Sequence, residues 1–188
     1  MDGKRLKGEV DLKILVIGDF GVGKTTLLTN LCEYNGPTVE IMRKHITYKK
    51  KKYRLVLPDT LCAEQLGART GIWFQKVTAC IFMYDVTNQE SLDNVENWVQ
   101  ELLRFGPNRG NIPKFLCGNK KDLETAVEND VVNNYCTKYN MKHFLISATT
   151  NDGVPELLNA VLPEAIKELS KGHAPAQKKS NGGGCVVV

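Results

Sequence analysis

Residues Gly18 to Thr25 read Gly-Asp-Phe-Gly-Val-Gly-Lys-Thr, a complete G-x-x-x-x-G-K-[ST] phosphate loop that follows directly on the apolar run Leu12-Lys13-Ile14-Leu15-Val16-Ile17. The motif demands a buried strand that hands over to a helix N-terminus, because there successive backbone N–H groups converge on one anion. The spacing predicts that the N–H groups of Gly21, Val22, Gly23, Lys24 and Thr25 face phosphates. It also predicts that Lys24 reaches the β- and γ-phosphate oxygens and that the Thr25 hydroxyl ligates Mg²⁺. Thr26, Leu27, Leu28 and Leu31 continue with helical period. A plain glycine-rich turn is the alternative, and the length and placement of the motif argue against it. The chain is expected to bind a nucleoside di- or triphosphate.

The 188 residues, 42% of them hydrophobic, suit one α/β domain with a sizeable core. A net charge of +4 is mild. Lys and Arg are scattered except for Lys49 to Lys52, so no nucleic-acid-binding face is expected. That lysine run falls between Ile46-Thr47-Tyr48 and Tyr53-Arg54-Leu55-Val56-Leu57 and reads as a solvated hairpin tip, with contact to acidic lipid as the alternative.

Cys32, Cys62, Cys80, Cys117 and Cys136 are widely spaced, without a CxxC pair or a suitably placed His, and read as reduced cytosolic thiols. Residues 1–10 form a charged N-terminal extension rather than a signal peptide, they do not begin Met-Gly, and no stretch is long enough to span a bilayer. Cys185 is different. Cys185-Val186-Val187-Val188, after Ser180-Asn181-Gly182-Gly183-Gly184, fits a C-a-a-X prenylation signal on a flexible tether. The final Val leaves farnesyl and geranylgeranyl both open.

Strand-like runs at 12–17, 39–48, 53–57, 77–84, 113–117 and 143–147 alternate with helical patterns, including Leu92-Val95-Trp98-Val99-Leu102-Leu103 and Val154-Leu157-Leu158-Val161-Leu162-Ala165-Ile166-Leu169. Thr87-x-x-Glu90 reads as a capping box opening the first of these helices. Crossover helices imply a mostly parallel, three-layer sheet, and the Lys-rich turn implies one antiparallel hairpin edge. From Lys171 onward the apolar period is lost, so residues 11–170 are expected to form the domain and 171–188 a disordered tail.

Asn119-Lys120-Lys121-Asp122 follows the apolar Phe115-Leu116-Cys117-Gly118, at the carboxyl end of a strand, where open α/β sheets bind ligands. The Asp122 carboxylate there can accept two hydrogen bonds from the N1–H and the exocyclic amine of guanine. Adenine has no donor at N1, so such a site leaves a charge unpaired against it and discriminates strongly. The Lys120 stem can cover one face of the base, and Asn119 can tie this loop to the phosphate loop. Ser147-Ala148-Thr149, after His143-Phe144-Leu145-Ile146, offers the Ala148 N–H to the guanine O6.

In this order the motifs resemble the Ras superfamily of small GTPases, over residues 10–170. Tyr84-Asp85-Val86-Thr87-Asn88-Gln89-Glu90-Ser91-Leu92-Asp93-Asn94-Val95-Glu96-Asn97-Trp98, Gly18-Asp19 and the lack of an insert after Asp122 look most like the Rab subfamily. The resemblance implies a three-layer P-loop fold with a mostly parallel six-stranded sheet and one antiparallel hairpin edge. It also implies GTP or GDP with Mg²⁺, Thr38 and Asp59 joining Thr25 at the metal, and effector and exchange-factor partners. A prenylated member sits on the cytoplasmic face of a membrane, with a cytosolic pool.

Departures from the family pattern are concentrated after Asp59. Where small GTPases carry Asp-Thr-Ala-Gly-Gln-Glu this chain reads Asp59-Thr60-Leu61-Cys62-Ala63-Glu64. The family glutamine orients the attacking water, and Ala63 has no hydrogen-bonding side chain. Cys62 adds a Cβ where the family uses glycine, Leu61 places a branched side chain near the metal, and Phe20 puts a ring where an arginine finger would approach. Thr38 stands only fourteen residues after Lys24, so the first helix or the first switch is short, and the family aromatic over the guanine or ribose edge is missing or replaced by Tyr34. The reading is a Rab-like guanine-nucleotide-binding protein of vesicle traffic or signalling with slow or impaired hydrolysis. A non-switching pseudo-GTPase adaptor stabilised by nucleotide is the alternative. A metabolic P-loop kinase or ATPase lacks support, because no substrate lid or second acidic cluster is evident.

Overall fold

The computed structural model describes residues 6–33, 41–60 and 70–172. Thr38, Tyr34, Leu61, Cys62, Ala63 and Cys185 lie outside the described residues. Within them the order is β1 (Val10–Ile17), α1 (Lys24–Cys32), β2 (Ile41–Tyr48), β3 (Lys51–Pro58), α2 (Thr70–Trp73), β4 (Ala79–Asp85), α3 (Gln89–Asp93), α4 (Val95–Phe105), β5 (Lys114–Asn119), α5 (Asn129–Tyr139), β6 (Lys142–Leu145) and α6 (Val154–Gly172).

The strands form one six-stranded sheet in the order β2-β3-β1-β4-β5-β6. Only the β2–β3 pair is antiparallel, and β1–β3, β1–β4, β4–β5 and β5–β6 are parallel. This is the three-layer α/β fold that the resemblance implies, mostly parallel with one antiparallel edge. The central strands read as near-continuous apolar runs because both faces are covered. Leu12, Ile14 and Val16 pack with Leu27 and Leu28 of α1 and Leu157, Val161 and Ala165 of α6. Leu15 and Ile17 point the other way, towards Val95, Val99 and Leu102 of α4 and Val132 of α5. Phe82 and Tyr84 of β4 belong to that second layer and are almost wholly buried. Truncating Phe82 to Ala would cost about 3–5 kcal/mol.

Strand β2 is the exception. Arg43, His45 and Thr47 are exposed while Met42 is buried, the alternation of an edge strand wetted on one side. Tyr48 pairs with Lys51, leaving Lys49 and Lys50 as a two-residue turn. The charges at this edge also discourage pairing with another chain.

Three local readings of the sequence need correction. The helix expected around 92–103 is two helices that meet at Asn94. Its start is capped by Asn88, whose side chain accepts from the Glu90 N–H at 3.0 Å. Thr87 instead donates its N–H and hydroxyl to Asp85 Oδ1, at 2.9 and 2.8 Å, so no Thr87–Glu90 capping box forms. Finally, α6 carries Lys171 and Gly172, two residues expected to begin the tail. Lys171 is held there by Glu168 at 2.6 Å.

Candidate functional site

Strand β1 ends at Ile17 and the chain passes through the phosphate loop into α1, whose first residue is Lys24. Two glycines make the passage. Gly18 has φ 151°, and a Cβ there would run into the carbonyl of Met83 on β4. Gly23, the N-cap of α1, has φ 98°, and a Cβ would collide with the Asn119 amide. Close approach and the left-handed backbone therefore both require glycine at position 23. Gly21 is exposed, Val22 is buried and Thr26 is exposed.

Lys24 is buried, and its Nζ donates to the carbonyls of Gly18 and Asp19, both at 2.5 Å. The loop thus curls around its own lysine, which fixes the ammonium on the loop's inner side. Thr25 Oγ1 donates to Asp59 Oδ2 at 2.8 Å. Two of the three residues expected at the metal are therefore in contact, and the third, Thr38, lies outside the described residues. Asp59 is placed by a parallel bridge to Val16, and Thr60 beside it donates its hydroxyl to the Val16 carbonyl at 2.9 Å. A hydroxyl against a carboxylate at the mouth of a phosphate loop is an all-oxygen donor set suited to Mg²⁺.

Asn119, the last residue of β5, is buried and makes the decisive connection. Its amide donates to the Val22 carbonyl at 2.7 Å, and its Oδ1 accepts from the Ala148 N–H at 2.8 Å. One side chain thus ties the phosphate loop to the loop after β6. The Ala148 N–H expected to serve guanine O6 is donated to Asn119 Oδ1 in this structure. Ala148 is bound from a second side as well, since the Asn30 amide of α1 donates to its carbonyl. Ser147 is buried; its N–H donates to the Asp152 carbonyl at 2.9 Å and its Oγ accepts from the Thr150 N–H at 3.2 Å. Thr149 and Asp122 are exposed.

Lys120 has φ 67°, an unusual conformation for a lysine, and its Nζ contacts Asp85 Oδ2 at 2.5 Å. Burial pushes the Asp85 carboxyl up, but hydrogen bonds from Lys120 and from the Thr87 N–H and hydroxyl outweigh it and hold the group below its ordinary value. Asp85, at the end of β4, was not singled out as a site residue in the sequence. Nor was Asp19, whose two oxygens accept from the Asn94 amide at 2.7 Å and the Trp98 indole N–H at 2.8 Å. The available signal for both was their position in the stretch that resembles Rab. Asp19, Gly21, Val22, Asp85 and Lys120 border an open cleft of about 490 Å³, with Phe20 at its lip, 75% exposed.

A phosphate loop on β1 latched to Asn-Lys-x-Asp on β5 is therefore a geometric fact and no longer only an order of motifs. The sequence model of the Ras family matches residues 13–167. The chain belongs to the Ras family. Within it the chain is a small GTPase close to Rab. It is similar to the Ras-related protein Rab-21 of the dog, Canis lupus familiaris, 29% identical over an alignment of 203 positions, gaps included, that covers 92% of this chain and 90% of the relative. It is also similar to Rab-21 of the mouse, Mus musculus, 30% identical over 179 residues, covering 88% and 80%. Against Ras-related protein rab-11.1 of Caenorhabditis elegans it is 29% identical over 185 residues, covering 94% and 87%. This Ras-family chain spans most of each relative, so the resemblance is not confined to the phosphate loop. Among the described residues, no helix is long and apolar enough to cross a membrane.

Proposed function

We propose that this protein binds GTP and GDP with Mg²⁺, hydrolyses GTP slowly, and works at a membrane in vesicle traffic or signalling through effectors and exchange factors. The observation that supports the nucleotide part is the double latch of Asn119, which ties the strand end that opens the Asn-Lys-x-Asp motif to the phosphate loop. In this reading Gly21, Val22, Gly23, Lys24, Thr25 and Thr26 hold the phosphates. Asp122 selects guanine, Lys120 covers the base, and Ser147, Ala148 and Thr149 frame its far edge. Thr25, Asp59 and Thr38 would hold Mg²⁺, which when bound neutralises charge on the β- and γ-phosphates. The Ala148 N–H can turn to O6 only by sharing with or leaving Asn119.

Slow hydrolysis follows from Ala63, which cannot orient a water, and from the exposed Phe20 ring at the lip of the cleft. Membrane attachment is proposed through a prenyl group on Cys185. One such chain gives only marginal, reversible attachment, and Lys178 and Lys179 beside it would add a second, electrostatic signal. The altered residues Leu61, Cys62 and Ala63 favour a second reading, a nucleotide-stabilised adaptor that does not switch.

Identifying the nucleotide that copurifies with the protein tests the first claim. Guanine nucleotide is expected, and equal displacement of a fluorescent GDP by ATP and GTP would remove the reading. A Cys185→Ser variant that fractionates with membranes as wild type does would remove the prenyl anchor. Equal effector affinity for the GDP and GTP forms would decide for the adaptor.

A further inference from the structure

The geometry points to a lipid-facing surface at the edge of the molecule remote from the phosphate loop, where the β2–β3 turn, the Leu6–Lys7 segment and the end of α6 dock on an anionic bilayer. This rests on the reading that the protein works at a membrane, and adds to it which face meets the lipid. Lys51 to Tyr53 begin β3, and Tyr53 pairs in parallel with Val10 at the start of β1. The phosphate loop leaves the other end of β1, about 25 Å away at the usual rise per strand residue.

Lys49 and Lys50 form the two-residue turn with φ of 47° and 66°. Two positive φ values are the mark of a type I′ turn, a place that favours Asn-Gly and disfavours residues with long side chains. Two lysines persist there against the backbone preference, and such outliers gather where a side chain has work to do. Lys51 and Lys52 are exposed beside them. Lys7, Lys50, Lys51 and Lys52 border a groove of about 540 Å³ whose apolar lining includes Ile166 and Leu169 of α6.

The carboxylates at this end are engaged elsewhere. Glu9 is buried against His45 at 2.7 Å, Asp11 takes both Nε and Nη2 of Arg54 at 2.8 Å, and Glu168 takes Lys171. None of the ion pairs among the described residues uses Lys7 or Lys49 to Lys52. Among the described residues, then, no carboxylate pairs with these lysines, and Lys49 lies only over the Tyr48 ring, 5.5 Å from its centroid. Its composition favours a lipid surface over a specific phosphate ligand. The cations are lysines, hydrated point charges, rather than the arginine forks that grip one phosphate. Leu6 beside them is 52% exposed, an apolar group at the level where headgroups meet acyl chains. The end of α6 lines this same groove, and Lys178, Lys179 and Cys185 follow α6 in the sequence.

The test uses the full chain without its prenyl group, loaded with GDP, in flotation with phosphatidylcholine vesicles that contain or lack phosphatidylserine. The protein is expected to float only with the phosphatidylserine vesicles and to be released by high salt. Replacing Lys49, Lys50, Lys51 and Lys52 together with Gln should lower partitioning by roughly several hundredfold, since four lysines near such a surface, each worth about fivefold, multiply. GDP affinity should not change, which shows that the variant is folded. The Lys178→Gln, Lys179→Gln pair should cost less. Equal flotation of wild type and the quadruple variant would overturn the proposal, as would salt-insensitive binding to neutral vesicles or no binding by wild type. In cells, a quadruple variant that leaves the membrane while Cys185→Ser stays there keeps this face and removes the prenyl anchor. The reverse result removes the face and keeps the anchor.

Discussion

The loop after β1 and the loop after β3 meet at the Thr25–Asp59 hydrogen bond, yet their sequences have opposite characters. The phosphate loop carries its complete motif, and the polar groups that hold it are paired: Lys24 with the Gly18 and Asp19 carbonyls, Asp19 with Asn94 and Trp98, and Val22 with Asn119. The loop after Asp59 keeps Thr60 in place on Val16 and in sequence continues Leu61-Cys62-Ala63, with alanine where the family carries its glutamine. The difference teaches that holding a nucleotide and cleaving it make separate demands. Holding needs a closed network of buried hydrogen bonds, in which each loss exposes another group. Cleaving needs one or two side chains that the network does not use, so they can change without unfolding the site.

The sharpest way to break this comparison is at Asp122. Asp122→Asn should lower GDP affinity by about 10⁴-fold and admit xanthosine diphosphate, because the C2 oxygen of xanthine needs a donor where guanine needs an acceptor. Titration with both nucleotides measures it, and an unchanged preference would mean that the latched half does not read guanine. Next in size is Asn119→Ala, which strands the Val22 carbonyl and the Ala148 N–H together. Two buried groups left unpaired should cost about 2–5 kcal/mol in denaturant unfolding and weaken nucleotide binding besides. A loss below about 0.5 kcal/mol would show that the latch is incidental.

On the other side of the comparison, single-turnover GTP hydrolysis by wild type should be slower than in a family member with the glutamine. Ala63→Gln should restore about tenfold, and only part of the deficit, because Cys62 and Leu61 still disturb the γ-phosphate side. Hydrolysis at the ordinary rate in wild type would erase the contrast between the two loops. The smallest effect concerns His143 of β6, which lies outside both. Burial pushes its imidazole below 6.5, and its Nε2 meets the Tyr84 hydroxyl at 2.9 Å. The unfolded chain then takes up a proton first, so stability should fall as pH drops through about 6.5 towards the lower folded value. The fall should vanish in His143→Gln when unfolding is followed against pH.

Much of the fold is legible in the amino-acid sequence. The apolar runs gave the strands to within two residues at most described ends, because parallel strands buried on both faces leave little room for polar residues. The meeting of the segments that carry Lys24, Thr25 and Asn119 was legible because their motifs stand at strand ends. The break of the helix at Asn94 was not, since Leu92 and Val95 keep one apolar stripe across it. The capping reading failed because Asn88 and Thr87 are adjacent, equally good caps, and Asp85 captured the threonine. Helix α6 runs past its last apolar residue because the Glu168–Lys171 pair supports a final turn that hydrophobic period cannot reveal.

Fold class and the order of the phosphate loop and the Asn-Lys-x-Asp motif were readable from the chain alone, since each depends on residues near one another or on the period of burial. Tertiary structure alone decided that Asp85 holds Lys120, that Asp19 is clamped by Asn94 and Trp98, and that the Ala148 N–H faces Asn119. It also decided that Lys7 and the β2–β3 lysines share one groove with the end of α6. These contacts join segments far apart in sequence: the parallel order β3-β1-β4-β5 brings the first three to the carboxyl ends of the strands, and the groove lies at the opposite end. No local pattern encodes such a meeting, because hydrogen bonds between side chains depend on distances that the packed sheet sets.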